Sequence, residues 1–312
     1  MLRHSLLWLS SNPQVRGFAV HSSVGRQMAR RFVAGECLAD AVAVVRELNV
    51  HGLSASLDHL GENVSSADQA RQATQDYIDI LHRIKQEGLN ANISVKLTQL
   101  GLGLDGDGVQ DNLLRILAEA DALGDTVTVD MEGSAYTERT VRLVLAARRQ
   151  HANVGVAIQS YLYRSQADLD ELVRAKVCGI RLCKGAYDEP PTIAFPHKQD
   201  VDQNYRQLTR FLLGSGCHPA LATHDVRLIE FALQNVQDLG LGPGDFEFQM
   251  LYGIRRDLQE RLVSGGWALR VYVPYGSEWY PYLMRRLAER PANLLFFARS
   301  LASEIVPNHR GA

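Results

Sequence analysis

The sequence has few cysteines and no long hydrophobic run. None of its four cysteines (Cys37, Cys178, Cys183 and Cys217) lies in a CxxC pair, which is typical of a protein in a reducing cytosol. A membrane-spanning helix needs about 18 or more apolar residues in a row, and the chain contains no such run. The apolar residues 6–9 are too few for a secretory signal, so an amphipathic leading helix is the favoured interpretation of the N-terminus.

Neither sign of charge is in excess. The 312 residues include 33 Lys and Arg and 35 Asp and Glu, which gives a formal net charge of −2. Nucleic-acid binding depends on a surplus of basic side chains, so this balance argues against nucleic acid as a main partner. The hydrophobic fraction of 46% is too high for a disordered chain and is sufficient for one large core or two ordinary ones.

Several common enzyme motifs are also missing. The chain has no GxGxxG after a first strand and no GxxxxGK[ST], which argues against a Rossmann nicotinamide enzyme and a P-loop NTPase. The glycines of residues 101–110 match neither motif and predict a loop. No HxH or HExxH occurs and the histidines are scattered, so we expect no metal site.

The sequence does contain a regular alternation of short β-branched segments and longer amphipathic ones. Eight segments predict strands, at residues 53–60, 92–100, 126–133, 154–162, 179–187, 218–225, 246–253 and 268–276. The connections have helical periodicity, as in residues 69–86, 112–123 and 202–213. Eight strands, seven connections and a helix after the last strand make the count of an α/β fold, a (β/α)8 barrel.

A doubly wound open sheet would show the same alternation. Polar residues at the ends of successive strands favour the barrel, because a closed barrel brings all eight ends around one mouth. These residues are Asp58, Lys96, Asp130, Glu132, Gln159, Lys184, Thr223, His224, Asp225, Gln249 and Tyr272. We expect residues 1–50 to form an N-terminal helical segment and residues 51–312 to form the barrel, within a single domain.

The segment 276–293 predicts a helix with a reactive face. Tyr282, Arg285, Arg286 and Glu289 are spaced by 0, 3, 4 and 7 positions, so they lie on one side of the helix. Two guanidinium forks there could clamp a carboxylate or phosphate. A solvated, salt-bridged surface stripe fits the same spacing, and both interpretations stay open.

Three strand ends carry further candidates. Lys96 lies in an apolar strand, where an ammonium is costly to bury unless it is paired or aimed at a ligand. It could be a Schiff-base nucleophile, a carboxylate contact or a lysine that reaches solvent. Asp130 could orient an amine, act as a base or be structural. Arg181 and Lys184 cannot both point into a barrel, because side chains alternate along a strand, and Gly185 permits close approach of a ligand.

Seven motifs follow one another in the order of a known family. RVYVPYGSEWYPYLMRRLAERPAN (270–293) is similar to the C-terminal signature of flavin-dependent proline dehydrogenases. SVKLTQLG, VDME, IQSYL, RLCKGAYDEP, ATHD and FEFQMLYGIRRD resemble the same family. The resemblance covers about residues 32–297 and is to the short, monofunctional bacterial type, without the DNA-binding or aldehyde dehydrogenase domains of longer relatives.

The resemblance implies a distorted (β/α)8 barrel with FAD held non-covalently at the C-terminal ends of the strands. Its reaction would be oxidation of L-proline to Δ1-pyrroline-5-carboxylate, by hydride transfer from proline C5 to flavin N5. The electrons would pass to a quinone, from a cytoplasmic protein in peripheral contact with the inner face of the membrane. The oligomeric state stays open.

The resemblance also assigns residues. Lys96, Arg285 and Arg286 would bind the proline carboxylate, and Asp130, Ala186, Tyr187, Tyr272 and Tyr282 would line the pocket. Asp130, Tyr187 and Arg181 would be catalytic, with Arg181 stabilising negative charge on the reduced flavin. Flavin contacts are expected from Met131, Gln159, Arg181, Cys183, Lys184, Gly185, Lys198, Thr223, His224, Gln249 and Glu289. Two positions depart from the family pattern, namely Cys183, where an aliphatic residue is common, and Pro196, where a hydroxyl residue often lies.

Two other functions compete with this one. A Schiff-base aldolase on the same barrel would use Lys96 or Lys184 as its nucleophile. A barrel without catalysis would serve as a binding or scaffold module. Independently of both, Glu62 follows the first strand, and we predict that it pairs with Arg285 in the empty site and releases it on binding.

Tyr272 is predicted to crowd the edge of the substrate ring, so hydroxyproline should be a poorer substrate than proline. The variant Tyr272→Ser should raise the hydroxyproline to proline ratio of kcat/KM, because it removes the ring that excludes the extra hydroxyl. Steady-state kinetics with both substrates measures this ratio. An unchanged ratio in the variant would contradict the prediction.

Overall fold

A computed structural model shows eight parallel strands closed into a barrel. It describes residues 29–62, 64–104, 108–177 and 179–289, together with residues 25, 27 and 106. Each strand pairs with the next in chain order, and the first strand pairs with the last, so the sheet has no free edge. The α/β class and the (β/α)8 barrel predicted from the sequence are confirmed, and the open-sheet alternative is wrong.

The strands and helices alternate along the chain. The strands are β1 (Ser54–His59), β2 (Ala91–Val95), β3 (Val127–Val129), β4 (Val154–Gln159), β5 (Gly179–Cys183), β6 (Ala220–Ala222), β7 (Glu247–Leu251) and β8 (Leu269–Tyr275). The helices are α1 (Leu38–Val50), α2 (Ala67–Gln86), α3 (Gly108–Leu123), α4 (Ser134–Arg148), α5 (Ser165–Arg174), α6 (Lys198–Leu213), α7 (Val226–Asp238), α8 (Arg256–Ser264) and α9 (Trp279–Glu289).

All eight strands occur where the sequence predicts them, but they are shorter. β3 has three residues where eight were predicted, and β6 also has three. The predicted segments ran on into polar residues that leave the sheet, such as Asp130 after β3. Sequence periodicity cannot locate this exit, because the residues on both sides of it are buried. Every residue of β2 and β4 is buried, as expected for a parallel sheet covered by helices.

The helices bury the stripes that their spacing predicts. In α2, Tyr77, Ile80 and Ile84 pack into the core, and Ser66 caps the helix by accepting a hydrogen bond from the Gln69 backbone N–H. α1 packs against β1 and β8. Of the predicted N-terminal helical segment, residues 1–24 lie outside the described residues. No helix in the described part of the chain is long and apolar enough to cross a membrane.

One backbone contact of the barrel tolerates no side chain. Gly155 in β4 pairs with Gly179 in β5, and a Cβ added at Gly155 would lie 2.3 Å from the Gly179 carbonyl oxygen. The two strands can therefore approach each other only because the Gly155 position carries no side chain.

We predict that Gly155→Ala lowers the free energy of unfolding by about 1–3 kcal/mol, because the two strands must move apart. Gly108→Ala is the matched control, since a Cβ at that helix position meets nothing within 4 Å. Chemical denaturation of both variants measures the difference. Equal midpoints for the two variants would contradict the close-contact explanation.

Candidate active site

Side chains from four strand regions meet at the C-terminal mouth of the barrel around Asp130. Tyr272 donates a hydrogen bond to Asp130 Oδ2 at 2.7 Å, and Arg181 Nη1 donates to Oδ1 at 2.6 Å. Lys96 Nζ lies 3.3 Å from Asp130 Oδ2 and 3.3 Å from the Tyr272 hydroxyl. Lys96 and Arg181 are each only 6% exposed. Four predicted site residues therefore form one buried, charged cluster.

The cluster contains two residues whose roles the sequence did not reveal. Ser94 donates to Asp130 Oδ1 at 2.7 Å and accepts from Arg181 Nη1 at 2.9 Å. Asp58 accepts from Lys96 Nζ at 2.6 Å and is fully buried. Ser94 lies two positions before Lys96, so strand periodicity could have placed both on the inner face. A lone serine in a strand carries no other signal of function.

The charges of the cluster are strongly coupled. Burial alone would raise the pKa of Asp130, but the cations of Lys96 and Arg181 hold it below its usual range. Burial alone would lower the pKa of Lys96, but its neighbours, led by the carboxylate of Asp58, raise it well above its ordinary value. Near neutral pH Asp130 is therefore an anion and Lys96 a cation, so Asp130 is better suited to orienting an amine than to accepting its proton.

The predicted reactive face of α9 turns inward. Tyr282 is 6% exposed, and the guanidinium of Arg286 lies 5.4 Å from the centre of its ring. Arg285 Nη2 donates to Glu62 Oε1 at 2.7 Å, so the predicted pairing of Glu62 is present. A solvated surface stripe is therefore wrong for Tyr282 and Arg285. The side chain of Glu289 lies outside the described residues.

α9 and the cluster face the same space. Burial and the carboxylates of Glu62 and Glu132 raise the pKa of the Tyr187 hydroxyl above its ordinary value. The cations of Lys96 and Arg285 also act on this hydroxyl and oppose the rise. Arg286 acts on the thiol of Cys183, whose pKa burial raises to about 11. Arg285 of α9 and Lys96, which directly follows β2, therefore both act on Tyr187.

A second charged group lies beside the mouth, after β5 and β6. Lys184 Nζ contacts Asp202 at 2.6 Å and Asp225 at 3.2 Å. Lys198 pairs with the same two carboxylates. His224 Nε2 accepts a hydrogen bond from the Leu251 backbone N–H at 2.9 Å. The structure therefore separates Lys184 and Lys198 from the Asp130 cluster, in agreement with the predicted alternation of Arg181 and Lys184. Asp202 was not predicted, because an aspartate on an amphipathic helix such as α6 carries no signal of function.

The remaining predicted flavin contacts line the strand ends. Gln159 donates to the Glu132 backbone carbonyl at 2.8 Å, and the hydroxyl of Thr223 accepts from the Asp225 N–H at 3.1 Å. Gly185 has φ +114°, and a Cβ there would lie 2.4 Å from the Tyr161 ring. Only glycine fits such a position. Met131 is buried, and Ala186 is half-buried.

A chain of polar side chains runs from this mouth through the barrel. Arg181 Nε donates to Gln249 Oε1, and Gln249 Nε2 donates to Glu247 Oε1 at 2.6 Å. Glu247 in turn accepts from Arg270 Nε at 2.9 Å, near the start of β8. The carboxylate of Glu247 accepts only, so it fixes which way the Gln249 amide points. Arg181 Nη2 is buried without a hydrogen-bond partner.

The donors at the mouth fit a flavin nucleotide. The buried Arg181 Nη2 carries two N–H groups without a hydrogen-bond partner, which suits a flavin carbonyl or ring nitrogen. Lys184 and Lys198 supply the positive charge that phosphates need. In the described part of the chain, no group of three or more His, Cys, Asp or Glu side chains could hold a metal ion.

Comparison with known proteins agrees with this arrangement. Residues 41–299 match the profile of the family described as proline dehydrogenase. The chain belongs to the proline dehydrogenase family. It is 40% identical over 279 residues to proline dehydrogenase 2 of Bacillus subtilis, covering 89% of this chain and 92% of that protein. It is 39% identical over 309 residues to proline dehydrogenase of Deinococcus radiodurans, covering 96% and 98%. The family resemblance of the motifs is therefore confirmed.

Solved structures share the barrel. Proline utilization A (PutA) of Bdellovibrio bacteriovorus, inactivated by N-propargylglycine, matches with a TM-score of 0.81 at 21% identity, over 96% of this chain and 40% of that one. A PutA mutant of Bradyrhizobium japonicum, D778Y, matches with a TM-score of 0.74 at 25% identity, over 89% and 32%. The chain thus spans less than half of each PutA chain, in contrast to its match with the Bacillus and Deinococcus proline dehydrogenases.

The Glu62–Arg285 pair at the mouth is expected to act as a gate. Replacing Glu62 by Ala should speed proline binding and alter KM, because Arg285 no longer has to leave a partner before it meets the substrate. Stopped-flow binding and steady-state kinetics measure the two effects. Asp257→Ala removes an exposed partner of Arg255 and is the matched control. If the Glu62→Ala variant has the same proline binding rate and KM as the parent protein, the pair does not act as a gate.

Proposed function

We propose that the protein oxidises L-proline to Δ1-pyrroline-5-carboxylate with a non-covalently bound FAD, as the first step of proline catabolism. The observation that carries this proposal is the convergence of Lys96, Asp130, Arg181 and Tyr272 with the inward face of α9 at one barrel mouth. Membership of the proline dehydrogenase family supports the choice of substrate.

Substrate binding in this proposal is an exchange of ion pairs. Proline is a zwitterion at neutral pH, so its carboxylate needs cations. Arg285 is held by Glu62 at 2.7 Å and can turn to the proline carboxylate as a bidentate fork. Arg286 and Lys96 add positive charge beside it, and the ammonium of proline faces the anionic Asp130.

The residues of the site prepare the substrate for oxidation. The proline ammonium must lose a proton before the nitrogen lone pair can stabilise the forming iminium. FAD, when bound, supplies the acceptor for the hydride of proline C5. The aromatic residues Tyr187, Tyr272 and Tyr282 exclude water and hold the pyrrolidine ring in place, and this positioning supplies much of the rate. Arg181 would stabilise the negative charge that the flavin gains on reduction.

In this proposal the cofactor would be held by residues at five consecutive strand ends, those of β3 to β7, and by Lys198 of α6. The residues that would hold it are Met131, Gln159, Arg181, Cys183, Lys184, Gly185, Lys198, Thr223, His224 and Gln249, with Glu289 as a further candidate. Lys184 and Lys198 would exchange their present carboxylate partners for phosphates. We further propose that the electrons pass to a quinone and that the protein is cytoplasmic and contacts the membrane peripherally.

A Schiff-base aldolase is disfavoured by the charge of Lys96. Such a nucleophile must be a neutral amine, which requires a lowered pKa. The carboxylate of Asp58, 2.6 Å away, leads the neighbours that instead raise the pKa of Lys96 well above its ordinary value. Lys184 is held in ion pairs with Asp202 at 2.6 Å and Asp225 at 3.2 Å.

The visible spectrum of the purified protein tests the proposal. We expect a yellow protein with flavin bands that bleach when L-proline is added without oxygen. Dithionite is the control that shows whether the bound flavin can be reduced at all. A colourless preparation, or bands that bleach with dithionite but not with L-proline, would overturn the proposal. Trapping of a substrate on Lys96 or Lys184 by borohydride would establish the aldolase instead.

A further inference from the structure

Glu247 is a buried carboxylate in β7 that has no role in the proposed reaction. It is 9% exposed and accepts a hydrogen bond from Arg270 Nε in β8 at 2.9 Å. Its Oε1 also accepts from Nε2 of Gln249 at 2.6 Å, and Oε1 of Gln249 accepts from Nε of Arg181. Glu247 is thus two hydrogen bonds away from the guanidinium that faces the proposed flavin site.

The strand between β5 and β7 leaves room for these contacts. Ala220 of β6 pairs with Arg181 on one side and with Glu247 on the other. Paired residues of neighbouring parallel strands point to the same face, so these three lie in one row on the inner face of the barrel. Because alanine carries only a methyl group, the long side chains of β5 and β7 can meet across β6.

The guanidinium of Arg181 is held at two of its corners. Its Nη1 donates to Asp130 Oδ1 at 2.6 Å and to Ser94 Oγ at 2.9 Å, and its Cζ lies 5.3 Å from the centre of the Tyr272 ring. These contacts hold the plane of the guanidinium and one corner, but they allow it to turn in that plane about Nη1. The hydrogen bond from Nε to Gln249 removes this rotation, so it fixes the direction of Nη2.

The amide of Gln249 can accept from Arg181 in only one of its two orientations. Arginine only donates, so the amide oxygen must face Arg181 and the amide nitrogen must find an acceptor elsewhere. The carboxylate of Glu247 is that acceptor. Arg270 holds Glu247 in place through Nε and itself donates from Nη1 to the Ala55 carbonyl at 2.9 Å. The orientation of Gln249 is therefore set from β8.

We propose that Glu247 is a positioning residue for the flavin: through Gln249 it holds the guanidinium of Arg181 so that Nη2 donates to the ring that gains negative charge on reduction. This inference rests on the proposed function, which supplies the flavin. Arg181 Nη2 is buried without a hydrogen-bond partner among the described residues, so its two N–H groups are left for a ligand at the mouth. A donor that is in place before the charge develops stabilises it more than one that must turn towards it.

The reduction potential of the bound flavin tests this proposal. Replacing Glu247 by Leu and Arg270 by Met together removes the acceptor for Gln249 without leaving a buried charge unpaired. We expect this double variant to have a more negative midpoint potential than the parent protein, because Nη2 is no longer held against the reduced ring. The rate constant for flavin reduction by L-proline should fall about tenfold, with a smaller change in KM.

Glu247→Gln separates the hydrogen bond from the charge. Glutamine keeps an oxygen that can accept from Gln249 and Arg270, but it carries no charge. Loss of the charge alone would make the potential less negative, which is the opposite of the shift expected for the double variant. A double variant whose potential equals that of the parent or is less negative would overturn the inference. So would a Glu247→Gln potential as negative as that of the double variant.

A second ion pair provides the matched control. Glu87, which directly follows α2, pairs with Arg46 of α1 and is also mostly buried. Replacing Glu87 by Leu and Arg46 by Met removes the same kind of pair without touching the side chains that hold Arg181. The flavin potential of this control should equal that of the parent, and a shift as large as that of the Glu247 and Arg270 double variant would mean that the potential responds to any lost ion pair and would overturn the inference.

An inverted pair covers the case in which the apolar double variant does not fold. Glu247→Lys combined with Arg270→Glu keeps an ion pair but places a donor at position 247. The Gln249 amide must then turn over and present its nitrogen to Arg181, which cannot accept a hydrogen bond. We expect the same shift to a more negative potential, and a potential equal to that of the parent would overturn the inference.

The two proposals fail separately. Reductive titration with dithionite and a reference dye measures the flavin potential without using proline. A parent protein that holds flavin but is not reduced by L-proline would overturn the proposed reaction and leave the role of Glu247 to be decided by the potentials. A parent protein that binds no flavin would overturn both.

Discussion

The carboxylate of Asp130 is the interaction on which the mouth of this barrel depends. It accepts hydrogen bonds from Ser94, Arg181 and Tyr272, side chains that belong to β2, β5 and β8. These strands meet around one carboxylate only because the sheet closes between β1 and β8. Removing any partner would leave a buried charge poorly compensated, which costs more than the lost hydrogen bond itself. The hydrogen bonds of Asp130 therefore depend on closure of the barrel.

Cations of the site are paired with carboxylates in the absence of a ligand. Arg285 is paired with Glu62, and Lys184 and Lys198 share Asp202 and Asp225. Such pairing keeps long charged side chains extended in defined positions, which lowers the entropy lost when a ligand binds. Because of this pairing, the free energy of ligand binding is the difference between the new ion pair and the ion pair that it replaces. A ligand of these groups must therefore displace a carboxylate when it binds.

The order of the strands and the charged residues that follow them can be predicted from the sequence, but the last residue of each strand and the contacts between these side chains cannot. Lys96 and Asp130 stand out because a charge in an apolar strand is costly, and the spacing of Tyr282 and Arg285 fits one face of a helix. Ser94 and Asp202 carry no such signal, since a serine in a strand and an aspartate on an amphipathic helix are common in any protein. The ends of β3 and β6 were also missed, because buried residues continue past the last strand hydrogen bond. Hydrogen bonds across the barrel join residues that are far apart in sequence, such as Ser94 and Asp130, 36 positions apart, and Asp130 and Arg181, 51 positions apart. Local periodicity does not encode such pairs.

The polar chain from Arg270 through Glu247 and Gln249 to Arg181 has a consequence for how this fold can change. Most barrels of this type can vary freely at the end opposite the active site, where residues serve stability alone. In this protein, hydrogen bonds connect the N-terminal end of the barrel to the mouth. Arg270 at the start of β8 therefore helps to orient the guanidinium of Arg181 in β5. Replacing Arg270 and Glu247 by apolar residues would improve packing at that end of the barrel, but it would leave the Arg181 side chain at the mouth less well fixed. The two ends of this barrel must therefore evolve together.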